Sequence, residues 1–149
     1  MVRIYLDACC LNRPFDDQTQ PRIRLEAEAV LMILTLCEAG DWEWIASEVL
    51  DWEIRQTPDS ERRRRVQLLA SHATHSVRLG ASEVDRAEEL EGWGIAAFDA
   101  LHLACAESGG ADLFLTTDDK LLRRSADRAS QLHVRVADPL TWLTEVSES

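Results

Sequence analysis

Short apolar segments alternate along this chain with longer segments that carry helix signals, and this alternation constrains the fold more than any other feature. The strand-like segments span residues 2–6, 42–46, 112–116 and 134–136. Apolar strands separated by helices are typical of a parallel sheet that is covered by helices on both faces. No repeat or low-complexity linker interrupts the pattern. The sequence therefore predicts one α/β domain over residues 1–149, with three α/β/α layers and a central, mainly parallel sheet.

The predicted helices begin at residues that favour helix N-termini. Pro21 suits the first turn of one helix, while Ser47 and Ser82 are candidate N-caps of two others. We predict helices over residues 21–39, 47–56, 60–73, 82–90, 96–107 and 118–129, and a short helix after Pro139. Residues 13–17 are interpreted as a loop.

The composition excludes several classes of protein. A net charge of −11 argues against a protein that coats nucleic acid through general electrostatic attraction. The chain has no run of about 18 uncharged apolar residues, and Asp7 comes too early for a secretory signal peptide. The four cysteines are interpreted as buried thiols, not as zinc ligands or disulfides; they are Cys9, Cys10, Cys37 and Cys105. We therefore expect a cytoplasmic protein without a membrane span.

Carboxylates recur where the predicted strands end. Asp7 follows the first strand, Glu48 follows the second, and Asp118 and Asp119 follow the strand at 112–116. In a parallel sheet, ligands bind beyond the carboxyl ends of the strands. Each acid taken alone also fits a helix cap or a turn. Their recurrence at one edge of the sheet indicates a site.

Asp99 lies within the apolar helix predicted near residues 96–107. An ionised carboxylate in apolar surroundings is costly unless it is paired or bound to a metal. Two structural alternatives stay open, because Asp99 would also fit a cap near the helix start or a pair with an arginine. Carboxylates that converge from separate segments are typical ligands of Mg²⁺ or Mn²⁺. Such ions activate water and stabilise the attacking and leaving oxygens of a phosphodiester.

Segments spread over nearly the whole chain carry a recognisable set of motifs. They are IYLDACCLNRPFDD, SEVLDWEI, FDALHLACAE, LFLTTDDKLL and VRVADPLTWL. In their order and spacing the sequence resembles PIN-domain ribonucleases, a family that includes the toxin components of bacterial and archaeal toxin–antitoxin pairs. FDALHLACA followed by LTTDDKLL is the specific part of the resemblance. It implies a PIN-like three-layer domain with nuclease activity.

The resemblance implies a site of four acids that acts with Mg²⁺ or Mn²⁺. Asp7, Asp99 and Asp118 match the aspartates of the family and would be metal ligands. Glu53 matches the family's glutamate by its distance from the serine that ends the second strand, and Glu48 is the alternative. These residues would hold one or two ions.

Further residues are assigned supporting parts by the same resemblance. Thr116 matches the hydroxyl residue that helps to hold the site, and Asp119 lies next to the third aspartate. The family commonly has Ser, Thr or Asn where this chain has Cys9, and Asn12 is the candidate for that polar role. His102 is interpreted as a hydrogen-bonded histidine of the helix and is left outside the site.

Our hypothesis from these motifs is metal-dependent hydrolysis of single-stranded RNA. Arg13, Arg123 and Arg124 are the candidates that would position the RNA, while the basic run 62–65 is interpreted as a solvated helix face. Two alternatives stay open. One is an interaction module with a degenerate site, and the other is a nuclease that acts on DNA, since the same metal chemistry cuts both polymers.

The resemblance also implies protein partners. If the chain is a toxin, a small antitoxin would insert a segment across the acidic cleft. Members of the family often form homodimers through helices. The apolar residues from 25 to 36 and Trp142 are the candidates for such a contact here. The same residues would also serve a core within one chain.

Overall fold

The structure is a computed structural model that describes residues 1–148, so the predicted domain of residues 1–149 reaches one residue, Ser149, outside the described part. A five-stranded sheet lies at its centre. The strands are β1 (Arg3–Leu6), β2 (Glu43–Ser47), β3 (His75–Val77), β4 (Leu113–Leu115) and β5 (Arg135–Ala137). Every pairing between neighbouring strands is parallel. The predicted α/β class with a central parallel sheet is therefore confirmed.

Helices connect the strands and cover both faces of the sheet. The α-helices are α1 (Ala8–Asn12), α2 (Pro21–Glu38), α3 (Glu48–Arg55), α4 (Ser60–Ala70), α5 (Ala81–Gly92), α6 (Ala97–Ser108), α7 (Asp119–Asp127) and α8 (Pro139–Glu148). Pro21 opens α2, and the side chain of Ser47 caps α3 by accepting a hydrogen bond from the backbone N–H of Leu50. None of the helices within residues 1–148 is long and apolar enough to cross a membrane.

The order of the strands determines where a ligand would bind. The sheet runs β3-β2-β1-β4-β5, so the chain leaves β1 toward β2 on one side and later returns beside β1 as β4. Crossovers that diverge in this way leave a crevice at the carboxyl ends of the two strands. Here the crevice lies beyond β1 and β4, next to Asp7 and Thr116.

Alternate residues of the central strands face two separate hydrophobic clusters. Ile4 and Leu6 of β1 pack in one cluster with residues of α2 and α8, whereas Tyr5 packs in the other with residues of α5 and α6. Tyr5 is fully buried, and its ring stacks on Phe114 of β4 with centroids 5.3 Å apart. Each face of the sheet thus has its own core, as three layers require.

Several local predictions were wrong. The edge strand β3 was not predicted, because His75 and Ser76 are exposed and the segment has no apolar run. Residues 13–17 were interpreted as a loop, but a 3-10 helix occupies Arg13–Phe15. The N-cap of α5 is Gly80 and not Ser82, since the Glu83 carboxylate accepts the Gly80 N–H at 2.8 Å.

Trp142 does not face outward as a dimer contact would require. It is buried within the chain, and its ring lies 4.8 Å from the ring of Trp42. On α2, by contrast, Leu25, Leu31 and Met32 are each about half exposed. Of the two candidates for a dimer contact, α2 therefore exposes apolar side chains, whereas Trp142 belongs to the core.

All four cysteines are free thiols, and the predicted burial holds for three of them. Cys10, Cys37 and Cys105 are buried, and burial raises the pKa of each of these thiols. Cys9 is partly exposed and lies at the carboxyl end of β1, next to the predicted site. Cys9 is therefore the cysteine whose surroundings bear on function.

Candidate functional site

Asp7 occupies the crevice between β1 and β4. Its backbone N–H donates to the carbonyl of Leu115 at 3.0 Å, so the last pairing of β1 with β4 fixes its position. Its Oδ1 accepts the backbone N–H of Ala8 at 2.8 Å and caps α1, while its Oδ2 accepts the hydroxyl of Thr116 at 3.0 Å. Burial raises the pKa of Asp7, and the charge of Glu53 raises it further. The carboxylate is therefore held rigidly in a place where its charge is unfavourable.

Thr116 and Cys9 form the support of this carboxylate. Thr116 is fully buried, and its Oγ1 also accepts the backbone N–H of Asp118 at 3.2 Å. The thiol of Cys9 lies 3.5 Å from Oδ2 of Asp7 and 3.4 Å from Oγ1 of Thr116. It also accepts the backbone N–H of Thr117 at 3.3 Å. Cys9 thus contacts Asp7, Thr116 and the backbone of Thr117 from the position where the resemblance implies Ser, Thr or Asn.

Glu53 points from α3 toward Asp7, whereas Glu48 does not reach the same place. Ligand atoms of Asp7, Glu53 and His102 all lie within 4.8 Å of one another and form the group of described residues that could hold a metal ion. Glu48 is exposed and lines a separate groove with Trp52. Of the two glutamates that the sequence left open, the structure brings Glu53 next to Asp7.

Asp99 lies in the first turn of α6 and is partly buried. Burial raises its pKa from 3.8 to about 6, and the charges of Asp7 and Asp118 add to this effect. The charges of Asp7 and Asp118 thus both disfavour ionisation of Asp99, although the three residues come from separate elements. A bound cation would offset this effect.

His102 lies among these acids, although sequence reasoning left it outside the site. It is fully buried, and its Nε2 is 3.0 Å from Oε2 of Glu53 and 4.0 Å from Oδ1 of Asp7. Burial opposes protonation of the ring, but the hydrogen bond to Glu53 and the charge of Asp7 outweigh burial and raise the pKa of His102. Its position one helical turn after Asp99 was the signal in the sequence.

A chain of buried hydroxyl groups supports the other side of the histidine ring. Nδ1 of His102 lies 2.6 Å from the hydroxyl of Tyr5, which in turn lies 2.6 Å from Oγ of Ser47. The Oγ of Ser47 also accepts the backbone N–H of Leu50 at 3.1 Å. The residue that caps α3 is therefore linked through two side chains to the glutamate that α3 carries.

Asp118 and Asp119 have different surroundings. Asp118 is the N-cap of α7 and accepts the backbone N–H groups of Lys120 and Leu121 at 2.9 and 3.2 Å. Asp119 accepts two hydrogen bonds from the guanidinium of Arg22 at 2.9 and 2.8 Å, and these bonds lower its pKa. Asp118 thus caps α7, and its charge contributes to the raised pKa of Asp99, whereas Asp119 is paired with α2.

Asn12, which was expected to assist the site, is engaged with other parts of the chain. Asn12 donates to the carbonyl of Ala8 at 2.9 Å and accepts from Arg62 at 3.4 Å. Arg62 also pairs with Asp16 at 2.7 Å, so the run at 62–65 is not simply a solvated face. The structure gives Asn12 a part in α1 and in the contact with α4.

The predicted RNA-binding arginines differ in their surroundings. Arg13 pairs with the buried Glu26 at 2.9 Å and with Asp16 at 3.2 Å. Arg123 and Arg124 are exposed on α7, the helix that Asp118 caps. The two arginines of α7 are therefore accessible to an anionic ligand near the site.

An aromatic pair flanks the acidic cluster. Trp52 and Phe98 stack with centroids 5.3 Å apart, and they are 47% and 37% exposed. Each directly precedes a predicted site residue, Glu53 on α3 and Asp99 on α6. They line a groove of about 610 Å³ together with Leu79 and other side chains. The ring of Trp52 is therefore partly open to solvent.

Comparison with known proteins agrees with this architecture. The sequence model of the PIN domain matches residues 4–127, which is most of the chain. No curated protein matches the chain significantly.

Among solved structures, VapBC2 from Rickettsia felis bound to a DNA fragment from its promoter is 13% identical, with a TM-score of 0.58. VapBC-1 from nontypeable Haemophilus influenzae is 17% identical, with a TM-score of 0.58. In both comparisons the match covers 93% of this chain and 98% of the other. DNA-bound VapBC from Salmonella typhimurium is 14% identical, with a TM-score of 0.57 and coverage of 93% and 99%. At these identities the solved structures show that the fold is shared.

Proposed function

Because the chain belongs to the PIN domain family, we propose that it is a nuclease that hydrolyses single-stranded RNA with Mg²⁺ or Mn²⁺. The observation that carries the proposal is the convergence of acids on the crevice of the sheet. The ligand atoms of Asp7 and Glu53 lie within 4.8 Å of each other. Asp99 lies outside this pair, and its pKa is raised by burial and by the charge of Asp7.

The donor atoms of this site suit a hard divalent cation. Mg²⁺ and Mn²⁺ prefer carboxylate oxygens and complete their coordination with water and phosphate. Asp7, Asp99 and Asp118 would hold one or two ions together with Glu53, a ligand atom of which lies within 4.8 Å of one of Asp7. When bound, the ion would supply Lewis acidity toward the phosphate and a lowered pKa of water. Mutual repulsion of the carboxylates in the metal-free protein supports this assignment, because a cation offsets it.

The side chains of the protein have separate parts in the proposed reaction. Thr116 and the backbone N–H of Ala8 hold the two oxygens of Asp7, so this carboxylate is already oriented before any ligand arrives. Burial and the charges of Asp7 and Asp118 raise the pKa of Asp99 to about 6 in the metal-free protein, and a cation held by these carboxylates would offset that cost. Asp118 completes the cluster from the start of α7.

Exposed arginines would bind the phosphates of the substrate next to this site. Arg123 and Arg124 lie on α7, and a guanidinium recognises phosphate oxygens in a bidentate manner. Arg13 is also a candidate. It already pairs with Glu26 and Asp16, so it would bind a phosphate either beside these carboxylates or in exchange for one of them. Since the net charge is −11, binding of RNA would depend on the metal and on these local cations.

We further propose that the protein is the toxin of a toxin–antitoxin pair and acts in the cytoplasm. Its motifs resemble a family that includes such toxins, and the similar solved structures are VapBC structures. An antitoxin with a basic segment would complement the acidic crevice. A homodimer would form through the exposed apolar residues of α2, which include Leu25, Leu31 and Met32.

The proposed activity is tested with labelled single-stranded RNA and DNA of one sequence, each incubated with Mg²⁺, Mn²⁺ or EDTA. We expect cleavage of RNA by the wild type with either metal and loss of cleavage in Asp7→Asn and Asp118→Asn. The matched control is Asp85→Asn, which changes an exposed aspartate of α5 and should cleave normally. Cleavage of DNA alone would keep the site and change the substrate. A folded protein that cleaves neither would support the interaction module.

The proposed partner is tested by co-expression with the product of the gene adjacent to the one that encodes this chain. We expect a small protein that co-purifies with the chain and suppresses cleavage of RNA. An adjacent product that neither binds nor inhibits would contradict the toxin assignment and leave a solitary nuclease.

A further inference from the structure

We propose that His102 is a positioning residue for Glu53 and does not itself bind the metal. This inference rests on the proposed function, because it assigns parts within the same site. Asp7, Glu53 and His102 together could be taken for a three-ligand centre, since their ligand atoms lie within 4.8 Å of one another. The hydrogen bonds around the histidine ring argue for a different arrangement.

Nε2 of His102 carries a proton when Glu53 is ionised. This nitrogen lies 3.0 Å from Oε2 of Glu53, which is a hydrogen-bond distance. An ionised carboxylate only accepts hydrogen bonds, so the proton between the two atoms belongs to the imidazole. If Nε2 carried no proton, its lone pair would face the lone pairs of the carboxylate oxygen at this distance, and the two acceptors would repel each other. A nitrogen that carries a proton has no lone pair for a metal.

Nδ1, the other nitrogen of the ring, contacts the hydroxyl of Tyr5 and allows two arrangements of protons. In one arrangement Ser47 donates to Tyr5, Tyr5 donates to Nδ1, and His102 is neutral with its proton on Nε2. In the other arrangement Nδ1 donates to Tyr5, Tyr5 donates to Ser47, and the ring is a cation with protons on both nitrogens. The distances of 2.6 Å fit both arrangements. Both arrangements are compatible with the proton that the contact with an ionised Glu53 places on Nε2.

The chain of hydrogen bonds from Ser47 to His102 holds the carboxylate of Glu53 in place. Tyr5 belongs to β1, Ser47 ends β2 and caps α3, and His102 belongs to α6. All three are fully buried, whereas the side chain of Glu53 is 36% exposed. Because an exposed glutamate has many rotamers, a buried donor is needed to keep its carboxylate near Asp7. The chain from Ser47 to His102 supplies that donor.

Two measurements test the position of the proton and the ligation directly. In ¹⁵N NMR of the metal-free protein, we expect the shift of Nε2 of His102 to be that of a protonated nitrogen. In pulsed EPR of the Mn²⁺-loaded protein, we expect no coupling from a coordinated histidine nitrogen. An unprotonated Nε2, or a nitrogen coupling that disappears in His102→Gln, would overturn the proposal.

Variants at position 102 separate positioning from a general structural effect. His102→Leu removes the donor to Glu53 and should weaken Mn²⁺ binding about 10- to 100-fold, as loss of a supporting hydrogen bond does at metal sites. His102→Gln keeps an N–H that can donate to Glu53, so it should recover most of the affinity. Equal loss in both variants, with thermal unfolding showing that both are folded, would contradict positioning.

Tyr5→Phe tests the remainder of the chain of hydrogen bonds. It removes the hydroxyl between Ser47 and His102 but keeps a ring that can stack on Phe114. We expect Mn²⁺ affinity to fall between that of the wild type and that of His102→Leu. An affinity equal to that of the wild type would show that the ring needs no support from Tyr5. If the wild type binds no Mn²⁺, the proposed function fails, while the NMR measurement still decides the proton on Nε2.

Discussion

Oε2 of Glu53 lies 3.0 Å from Nε2 of His102, although 49 positions separate the two residues in the sequence. The contact joins α3 to α6, the helix that also carries Asp99. Asp7 reaches the same place from the end of β1. The carboxylates thus converge from the end of β1, from α3 and from α6.

Asp99→Asn should stabilise the metal-free protein at neutral pH. The pKa of Asp99 is about 6 in the folded chain against an ordinary value of 3.8. Between these pH values the folded wild type binds more protons than the unfolded chain, so its stability falls as pH rises through the window. Asparagine does not ionise, so the variant does not lose stability in this way as the pH rises. Thermal unfolding in EDTA should therefore show little difference near pH 4 and a higher Tm for Asp99→Asn above pH 6.

The same experiment has an internal check. Asp85→Asn, at an exposed site on α5, should show no such divergence from the wild type. A Tm difference for Asp99→Asn that does not change between pH 4 and 6 would mean that the folded protein does not raise the pKa of Asp99.

Thr116→Val should destabilise the protein and weaken metal binding together. The buried hydroxyl donates to Oδ2 of Asp7 and accepts the backbone N–H of Asp118, and valine can do neither. Loss of a buried hydrogen-bond partner costs about 1–3 kcal/mol in unfolding free energy. Urea unfolding measures this cost. Thr116→Ser keeps the hydroxyl and should lose little metal affinity, whereas equal affinity in Thr116→Val and the wild type would contradict the support of Asp7.

Glu53→Gln and Glu48→Gln should have opposite outcomes, although both residues lie on α3. Glu53 contacts His102 within the cluster, while Glu48 lines a separate groove. We expect kcat/KM for RNA to fall at least about 100-fold in Glu53→Gln, a magnitude typical of lost acid–base or charge assistance. It should be unchanged in Glu48→Gln. The reverse pattern in steady-state kinetics would assign the family's glutamate to position 48.

Asp119→Asn should leave RNA cleavage near the wild-type rate, unlike Asp118→Asn. Asp119 is paired with Arg22, whereas Asp118 raises the pKa of Asp99 by its charge. Metal affinity measured for both variants should therefore fall only at position 118. A loss at position 119 of equal size would show that the pair with Arg22 opens when the metal binds.

Cys9→Ser should raise the rate of RNA cleavage severalfold. The thiol is a weak donor 3.5 Å from Oδ2 of Asp7, and a serine hydroxyl would form a stronger hydrogen bond to an ionised carboxylate. Single-turnover cleavage at saturating Mn²⁺ measures the effect on the chemical step. A rate that falls in Cys9→Ser would show that the larger sulfur atom is needed for packing against Thr116.

The sequence predicted the parts of the fold that depend on local pattern. Apolar runs identified β1 and β4, and Asp118 was recognisable as a helix cap before α7. β3 was missed because its residues are mostly exposed, and its pairing with β2 is a contact between distant segments. The N-cap at Gly80 was missed because its partner is the side chain of Glu83 and glycine itself carries no capping oxygen.

The site was predictable where a charge stood out from its surroundings. Asp99 in an apolar helix and Asp7 after an apolar strand both met this condition. The choice between Glu53 and Glu48 depends on how α3 packs against α6, which no periodicity specifies. The contact of His102 with Glu53 has the same origin. These relationships are tertiary, so the sequence could only place the residues near the site.

The most direct test of the account is a calorimetric titration of Mn²⁺ into the wild type, Asp99→Asn and Asp85→Asn. Asp99→Asn removes one charge at nearly constant volume, and circular dichroism will verify that all three proteins are folded. We predict that the wild type and Asp85→Asn bind Mn²⁺ and that Asp99→Asn binds it at least about tenfold more weakly. A folded wild type that binds no Mn²⁺, or an Asp99→Asn that binds it equally well, would contradict the carboxylate metal site.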